Sequence, residues 1–283
     1  MKKRISFLIA LLFTIICCCA CAGKSKDSSF SVTFIDVGQG DSTLVECDGH
    51  YMLIDGGDEQ AGVKVYQTLE EREIDKLDIL VMSHLHSDHI GGLIEALKYA
   101  QSIGITLSNT DNSKSDVFRK VEYQLGVDEA EITIPHIGDK YQLGSASVEV
   151  IDVASDEPND SVVLLVTYGE TRFLFPGDIE YAGQKRICDK YMNEPNQEFK
   201  VDLLKMPHHG SYQNGNITRL INTFMPEYAI ISCGEGNRYG HPHHETLEAL
   251  DNKAFKAKVY RTDKNGDITV KSDGKMLSVQ TSK

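Results

Sequence analysis

The sequence has no tryptophan and little cysteine beyond its first 21 residues. The lack of tryptophan removes one strong platform for stacking on bases or sugars, although 12 tyrosines and 10 phenylalanines remain. Four of the seven cysteines lie within residues 17–21, and the other three are Cys47, Cys188 and Cys233. Three is an odd number and none has CxxC spacing, which argues against a cysteine-built zinc site and against a disulfide framework. We expect buried thiols, with one disulfide conceivable outside the cell.

Positive charge is also scarce. The 283 residues include 29 Lys and Arg against 42 Asp and Glu, a formal net charge of −13. This balance argues against a broad basic surface for duplex nucleic acid. It remains compatible with a small local basic groove, or with a metal site that supplies the positive charge itself.

Long apolar runs are missing except near the start, where an uncharged stretch from Ile5 to Ile16 follows Lys2, Lys3 and Arg4. A basic start, an apolar stretch too short to span a membrane comfortably and small residues after it are typical of a secretory signal. We therefore predict a signal peptide over residues 1–20. Its removal leaves 26 basic and 42 acidic residues, a formal charge of −16.

The step from Ala20 to Cys21 resembles the processing site of bacterial lipoproteins, in which the cysteine becomes lipidated. We expect lipidation of Cys21, a flexible tether over residues 21–29 and a position on the extracytoplasmic face of the bacterial cell membrane. The match is imperfect because Cys18, not leucine, stands at position −3. Cys19 is an alternative site, and an ordinary signal peptide that releases a secreted protein, or an uncleaved anchor, also remains open.

The body of the chain, residues 30–283, contains no linker-like segment and is predicted to form one domain. Short apolar runs typical of strands alternate with helical patterns in both halves, which favours two sheets packed face to face with helices outside. The turn sequences Asp48-Gly49 and Asn265-Gly266 each predict a hairpin, the second within residues 258–280. The sequence "IGGLIEALKYA" predicts a helix over residues 90–100.

Polar residues cluster where the predicted strands end, which is where ligands bind in layered α/β folds. The stretch "SHLHSDH" follows a buried strand and places four ligand-type residues within six positions. His84 and His86 are two apart, so they point the same way in an extended backbone, and Asp88 and His89 follow in the turn into a helix. Burying such groups unpaired is very costly, whereas imidazole and carboxylate are ligands of zinc, manganese or iron(II). The segment therefore predicts a metal site.

The same segment has the HxHxDH form and resembles the metallo-β-lactamase superfamily. Further motifs resemble, in order, the hydrolase domain of ComEC-type competence proteins: "FIDVGQGDSTLVE", "LIDGG", "NDSVVLLVTYGETRFLFPGD", "VDLLKMPHHGS", "AIISCGEGNRYGHP" and "YRTDKNGDITV". Together they cover nearly all of residues 30–270. The resemblance implies an αββα sandwich, two mixed β-sheets flanked by helices, with one or two divalent metal ions, zinc or manganese, at one edge.

The resemblance also implies roles for individual residues. His84 and His86 are expected on the first metal, Asp88 and His89 on the second, and Asp178 between them. The last ligand of the second metal is expected among His208, His209 and His241. We favour His209, with His208 facing the substrate as acid or phosphate donor and His241 in reserve. The predicted catalytic residues are Asp88 and His208.

Two further positions have open interpretations. Asp55, which ends a strand in "IDGG", either orients a ligand histidine or is a turn carboxylate, and Asp41 is expected to brace its loop rather than bind metal. Many superfamily members have another histidine on the first metal, but His136 is the only histidine between the HxHxDH loop and Asp178, and it looks like a turn residue. The stretch from Asn159 to Ser161 stands there instead, as in the ComEC-type pattern. The first site is therefore expected to hold its metal loosely.

These expectations define an extracytoplasmic metal-dependent hydrolase. The substrate class implied by the resemblance is a phosphodiester, most simply nucleic acid, attacked by a metal-activated hydroxide. One alternative keeps the fold and changes the substrate, as in phosphorylcholine esterases that act on wall teichoic acid. Another is a metal-binding lipoprotein without catalysis. No protein partner is predictable; the expected partners are the phosphodiester and, through the lipid anchor, the membrane.

Overall fold

The computed structural model describes residues 29–127, 131–192, 199–213, 215–251 and 256–283. The predicted signal peptide, Cys21 and all of the tether except Ser29 lie outside the described residues. The predicted domain 30–283 therefore begins at the first strand of the structure. None of the described helices combines the length and the apolar character needed to cross a bilayer.

The described part of the chain alternates between strands and helices. The strands are β1 (Phe30–Phe34), β2 (Thr43–Cys47), β3 (His50–Ile54), β4 (Lys76–Met82), β5 (Ser102–Ser108), β6 (Ile132–Thr133), β7 (Lys140–Leu143), β8 (Ala146–Asp152), β9 (Val163–Tyr168), β10 (Thr171–Phe175), β11 (Leu203–Lys205), β12 (Tyr228–Ile231), β13 (Lys258–Arg261), β14 (Ile268–Ser272) and β15 (Leu277–Thr281). The helices are α1 (Gly62–Glu71), α2 (Ser87–Ile90), α3 (Leu93–Ala96), α4 (Asp116–Val127), α5 (Tyr181–Met192), α6 (Ile217–Phe224), α7 (His244–Leu250) and α8 (Thr262–Asn265), with a 3-10 turn at Pro207–Gly210.

The strands form two mixed sheets. One has the order β15-β14-β1-β2-β3-β4-β5-β6 and the other β13-β12-β11-β10-β9-β8-β7. In each sheet one half is antiparallel, built by hairpins such as β2–β3 and β9–β10. The other half is parallel, from β3 to β6 and from β10 to β13.

Alternation along the strands explains the layers. In β1, Val32 and Phe34 face the core between the sheets, which also contains Val166 of β9 and Phe173 of β10. Leu80 of β4 faces the other way. It packs in the outer core that also contains residues of α1, α3 and α4. A third core joins the second sheet to α5, α6 and α7. The fold is the predicted αββα sandwich.

Two local predictions are wrong. Asn265-Gly266 does not close a hairpin, because β13 pairs with β12 in one sheet whereas β14 pairs with β1 and β15 in the other. The chain crosses between the sheets through α8, where the Thr262 hydroxyl accepts from Cys233 N and donates to Cys233 O. The helix predicted over residues 90–100 is instead split into α2 and α3 at Gly91-Gly92.

Close backbone packing explains that split and positions the site. A side chain at Gly92 would collide with the backbone carbonyl of Gly56, in the "IDGG" loop after β3. The two loops are tied by hydrogen bonds from Gly56 N to His89 O (2.6 Å) and from Gly92 N to Gly57 O (2.9 Å). Glycine is required where backbones approach this closely. The loops after β3 and β4 therefore form one rigid unit at this edge of the sandwich.

Candidate metal centre

The HxHxDH loop begins where β4 ends. His84 is fully buried, whereas His86 is exposed and has extended backbone angles (φ −71°, ψ 150°), so that α2 begins after it. Asp88 and His89 then lie in the single turn of α2. This local path presents histidines from both an extended and a helical segment to the same end of the strands.

Asp178, which follows β10 in the opposite sheet, lies between two imidazoles of this end. Its Oδ2 is 3.2 Å from His89 Nε2 and 3.5 Å from His209 Nε2. His209 Nε2 is also 3.3 Å from Asp88 Oδ2. Four groups of three described residues have ligand atoms that all lie within 4.8 Å of one another: His84, His89 and Asp178; Asp88, His89 and His209; Asp41, Asp55 and His89; and Asp41, Asp178 and His209.

The two central imidazoles fit a divalent cation. His89 Nε2 and His209 Nε2 are buried and have no hydrogen-bond partner among the described residues. A buried polar atom left unpaired costs about 1–3 kcal/mol. Both atoms face the same carboxylate oxygen, and the donors around them are imidazoles and carboxylates without a thiolate, the set preferred by zinc and manganese. The residues at this site therefore fit the metal that the HxHxDH motif implies.

The carboxylates of this site favour positive charge on the histidines beside them. Burial opposes a charge on His89, but Asp178 and Asp55 raise its pKa well above the usual value. Burial likewise opposes a charge on His209, but Asp178 and Asp41 raise its pKa to about 9. The buried carboxylates around these two rings therefore favour positive charge at this place. Metal ligands must give up their protons, so a bound cation would supply this charge instead.

His84 and His86 are the first two histidines of the HxHxDH loop. Burial and the neighbouring positive charge of His89 lower the pKa of His84 well below the usual value, which keeps the ring neutral as metal ligation requires. His84 Nε2 lies 3.0 Å from His86 Nδ1. Among the described residues, none of the three-residue groups with converging ligand atoms includes His86.

Asp55 lies behind His89. Its carboxylate is 2.8 Å from His89 Nδ1, and it accepts hydrogen bonds from Ser83 N (2.8 Å) and Ser83 Oγ (2.6 Å). Such a carboxylate fixes the orientation of a ligand imidazole and leaves the other ring nitrogen free for the metal. Of the two interpretations left open by the sequence, the geometry favours this one.

The "PHHGS" segment separates its two histidines by an unusual backbone. His208 (φ 48°) and His209 (φ 53°) are both left-handed, a conformation that costs non-glycine residues about 1–3 kcal/mol each and is typical of functional sites. His209 is buried, with Nδ1 3.1 Å from Ser232 O and 3.3 Å from Asp41 Oδ1. His208 is half-buried, and its Nδ1 lies 3.4 Å from Glu180 Oε1. The strained turn thus directs one ring inwards and the other towards solvent.

His241 lies near this pair without joining it. Its ring centroid is 5.6 Å from that of His208 and 6.1 Å from that of His209. Burial and the neighbouring histidines lower its pKa to about 4. Among the described residues it belongs to none of the groups with converging ligand atoms, so its reserve role stays a prediction.

Sequence reasoning missed Lys205 and underestimated Asp41. Lys205 ends β11 fully surrounded by protein; its Nζ donates to Asp41 Oδ2 and lies 3.9 Å from Asp178 Oδ1. Burial opposes both charges, yet each group stabilises the other, so that the pKa of Lys205 is raised and that of Asp41 is lowered. The sequence feature that could have identified Lys205 is its position in the apolar run "DLLKMP", directly before the two histidines. A lysine is almost never buried without a charged partner.

Replacing Lys205 with methionine is expected to destabilise the metal-free protein by up to about 3–5 kcal/mol, because buried Asp41 loses its lysine partner and keeps its imidazole contact with His209. Urea unfolding in EDTA measures this free energy. The double variant Asp41→Asn/Lys205→Met removes both charges and should recover more than half of the loss. Equal stability of the single variant and the wild type would contradict the pairing.

Residues 159–161, which stand where many superfamily members have a histidine, contact Asp178 of the candidate metal centre. Ser161 is buried, and its hydroxyl accepts a hydrogen bond from Asp178 N at 3.1 Å and donates to Asn159 O at 3.0 Å. His136, in contrast, is exposed and its Nδ1 lies 3.6 Å from Asp139. The segment before β9 therefore supports the backbone of Asp178 and contributes no imidazole.

The fold and this set of residues define a metallo-β-lactamase-type hydrolase, and the chain belongs to the metallo-β-lactamase superfamily, whose family model matches residues 35–234. Within it, the chain is related to ComEC-type competence proteins. It is 30% identical to ComE operon protein 3 of Bacillus subtilis over 265 residues, which cover 85% of this chain and 33% of that protein. It is 27% identical to recombination protein 2 of Haemophilus influenzae over 98% of this chain and 33% of that protein.

The chain thus spans about a third of the length of these curated relatives. Among solved structures, the metallo-β-lactamase fold protein YhfI of Bacillus subtilis matches with a TM-score of 0.59 at 12% identity, over 86% of this chain and 100% of that one. Igni18, a metallo hydrolase of Ignicoccus hospitalis, matches with a TM-score of 0.54 at 17% identity, over 85% of this chain and 98% of that one. The solved structures confirm the predicted fold, and the curated relatives confirm the resemblance to ComEC-type proteins.

Proposed function

We propose that the protein is an extracytoplasmic phosphodiesterase that acts on nucleic acid with the help of one or two divalent cations. The observation that carries the proposal is the carboxylate of Asp178, which faces the unpaired Nε2 atoms of His89 and His209. Superfamily membership makes the chain a member of a metal-dependent hydrolase family. The relation to competence proteins favours a nucleic acid among phosphodiesters.

The cations would be held by the six predicted ligands. When bound, they supply Lewis acidity, which acidifies water and offsets the charge that builds on the phosphoryl oxygens. Either zinc or manganese suits this donor set. The proposed ligands are His84, His86, Asp88, His89, Asp178 and His209.

His208 is the proposed general acid. Its ring is only half-buried, so a substrate oxygen can reach it, and its backbone N donates to Asp178 Oδ1 at 3.2 Å. Glu180 lies 3.4 Å from the ring and is itself fixed by a hydrogen bond from Asn159 Nδ2. The ring is therefore positioned beside the phosphodiester to protonate the departing oxygen, a role that typically contributes 10²–10⁴-fold to the rate.

A second candidate function rests on a different observation. A cavity of ≈ 320 Å³ is lined by Glu157, Glu180 and Tyr181, among others, and Glu180 lies 3.4 Å from His208. Carboxylates and an exposed tyrosine suit a quaternary ammonium group, as in a phosphorylcholine ester of wall teichoic acid. This alternative keeps the metal centre and changes the leaving group.

A substrate panel with added manganese or zinc tests these functions. The proposed function predicts digestion of labelled single-stranded DNA and hydrolysis of bis-p-nitrophenyl phosphate. Preference for p-nitrophenylphosphorylcholine would favour the second candidate. Metal bound to purified protein that hydrolyses none of these esters would favour the remaining alternative, a metal-binding lipoprotein without catalysis.

The extracytoplasmic position is a separate proposal, based on the signal-like residues 1–20 and on Cys21. Replacing Cys21 with serine is expected to move the protein from the membrane to the soluble fraction, because the anchoring lipid has no attachment site. Fractionation followed by immunoblotting measures this shift, with Cys188→Ser as a matched control. If Cys21→Ser stays membrane-bound, lipidation of Cys21 is wrong.

A further inference from the structure

A pocket adjoins the candidate metal centre at Asp88. It has a volume of ≈ 390 Å³, and Asp88 forms part of its wall. Gln39, from the loop after β1, and Arg238 and Tyr239, from the loop after β12, line it as well. A substrate held at Asp88 would therefore extend into this pocket.

Asn237 makes the loop after β12 rigid. Its side-chain nitrogen donates to Gly234 O (2.9 Å) and His241 O (2.7 Å), and its side-chain oxygen accepts from Tyr239 N (3.2 Å) and His241 N (3.0 Å). A further hydrogen bond, from Gly234 N to Gln39 Oε1 (3.2 Å), ties this loop to the other wall of the pocket. A binding surface ordered in advance loses less entropy when it takes up a ligand.

Arg238 is presented by a stack of rings that starts inside the metal centre. The rings of His209 and His241 lie 6.1 Å apart at 30°, and Tyr239 stacks on His241 at 5.6 Å and 21°. The guanidinium carbon of Arg238 lies 4.9 Å from the centre of the Tyr239 ring, and its Nη2 donates to the Tyr239 hydroxyl at 2.7 Å. No carboxylate among the described residues forms an ion pair with Arg238. In a protein with a net charge of −13, this is an ordered cation that remains free for an anion.

Gln39 lines the same pocket. Its Nε2 is buried and has no hydrogen-bond partner in the described part of the chain. A guanidinium without a carboxylate partner suits phosphate oxygens, and bases stack on guanidinium planes as well as on aromatic rings. Both features favour a nucleotide over an uncharged group.

We propose that this pocket binds the nucleotide next to the scissile phosphodiester, with Arg238 contacting its phosphate. Tyr239 positions the guanidinium. This inference rests on the proposed phosphodiesterase function and adds to it that the substrate carries a second phosphate. A nucleic acid strand meets that requirement, whereas bis-p-nitrophenyl phosphate does not.

The test compares two substrates in one protein. The ratio of kcat/KM for a single-stranded oligonucleotide to kcat/KM for bis-p-nitrophenyl phosphate is expected to fall about tenfold in Arg238→Ala, as for loss of one hydrogen bond to a charged group. Arg238→Lys should restore part of the ratio. The dependence of oligonucleotide cleavage on salt should also weaken in Arg238→Ala, by about one phosphate contact. The matched control is Lys275→Ala, which removes an exposed cation from the β14–β15 turn, where Lys275 lies 3.9 Å from Glu170; its ratio should equal that of the wild type.

Three outcomes would overturn the proposal. An unchanged ratio in Arg238→Ala means that Arg238 does not contact the substrate. A wild-type enzyme that hydrolyses bis-p-nitrophenyl phosphate but no oligonucleotide, or an Arg238 effect on purified teichoic acid alone, means that the pocket is not a nucleotide site. If the wild type hydrolyses no phosphodiester with either metal, the proposed function itself fails, a result distinct from those three.

Discussion

Asp178→Ala is expected to lose bound metal and activity together. Asp178 Oδ2 lies 3.2 Å from His89 Nε2 and 3.5 Å from His209 Nε2, so its removal takes an anionic donor from both halves of the cluster. A Lewis acid stabilises the transition state by several kcal/mol. Because about 1.4 kcal/mol corresponds to a tenfold change in rate, its loss is expected to lower the rate about a thousandfold or more. Elemental analysis after dialysis and hydrolysis of bis-p-nitrophenyl phosphate measure the two effects.

The control for this variant is Glu170→Ala, which removes an exposed carboxylate from the turn between β9 and β10. It should keep both metal and activity. Circular dichroism separates loss of the site from loss of the fold, because the three apolar cores do not include Asp178. Full turnover in folded Asp178→Ala would show that this carboxylate does not bridge the centre.

The parts of the site that the sequence predicted are those with local or motif-level signals. His84, His86, Asp88 and His89 occupy one loop, and their spacing at a strand end is visible without a fold. The opposite sheet contributes Asp178 and His209, and no spacing along the chain connects them to that loop; the resemblance to ComEC-type proteins supplied the connection. The structure brings them within 3.5 Å of the HxHxDH residues.

The features that the sequence did not predict depend on contacts between distant segments. Lys205 and Asp41 are 164 positions apart, and their pairing becomes evident only when β11 packs opposite the loop after β1. The failed hairpin at Asn265-Gly266 has the same origin. The turn sequence is local, but whether β13 and β14 pair depends on β12 and β1, which offer each strand a partner in a different sheet.

The left-handed backbone conformation of His208 and His209 could not be predicted from the sequence either. Two adjacent non-glycine residues with positive φ are disfavoured by their own side chains, so surrounding contacts must hold them. Hydrogen bonds supply part of that support, from His208 N to Asp178 Oδ1 (3.2 Å) and from Ser211 N to His208 O (2.8 Å). The same carboxylate that faces the ligand rings thus helps to separate His209 from His208, which gives the two histidines different expected roles.

His209→Ala is expected to lose metal as well as activity, whereas His208→Ala is expected to keep its metal and lose rate by about 10²–10⁴-fold. The reason is geometric: His209 Nε2 faces Asp88 and Asp178 from a buried position, whereas the half-buried ring of His208 faces Glu180. Metal content and kcat, measured on both variants after identical dialysis, separate the two losses.

A second kind of substrate provides the control for these two histidine variants. With a substrate whose leaving group needs no proton, such as a p-nitrophenyl ester, the loss in His208→Ala should shrink towards the wild-type rate, because the phenolate departs without an acid. No such recovery is expected in His209→Ala, because a missing ligand weakens the centre for every substrate. Metal loss in His208→Ala and full metal retention in His209→Ala would reverse the assignment of the two rings. A His208→Ala defect that is equally large on both kinds of ester would instead exclude proton donation as its role.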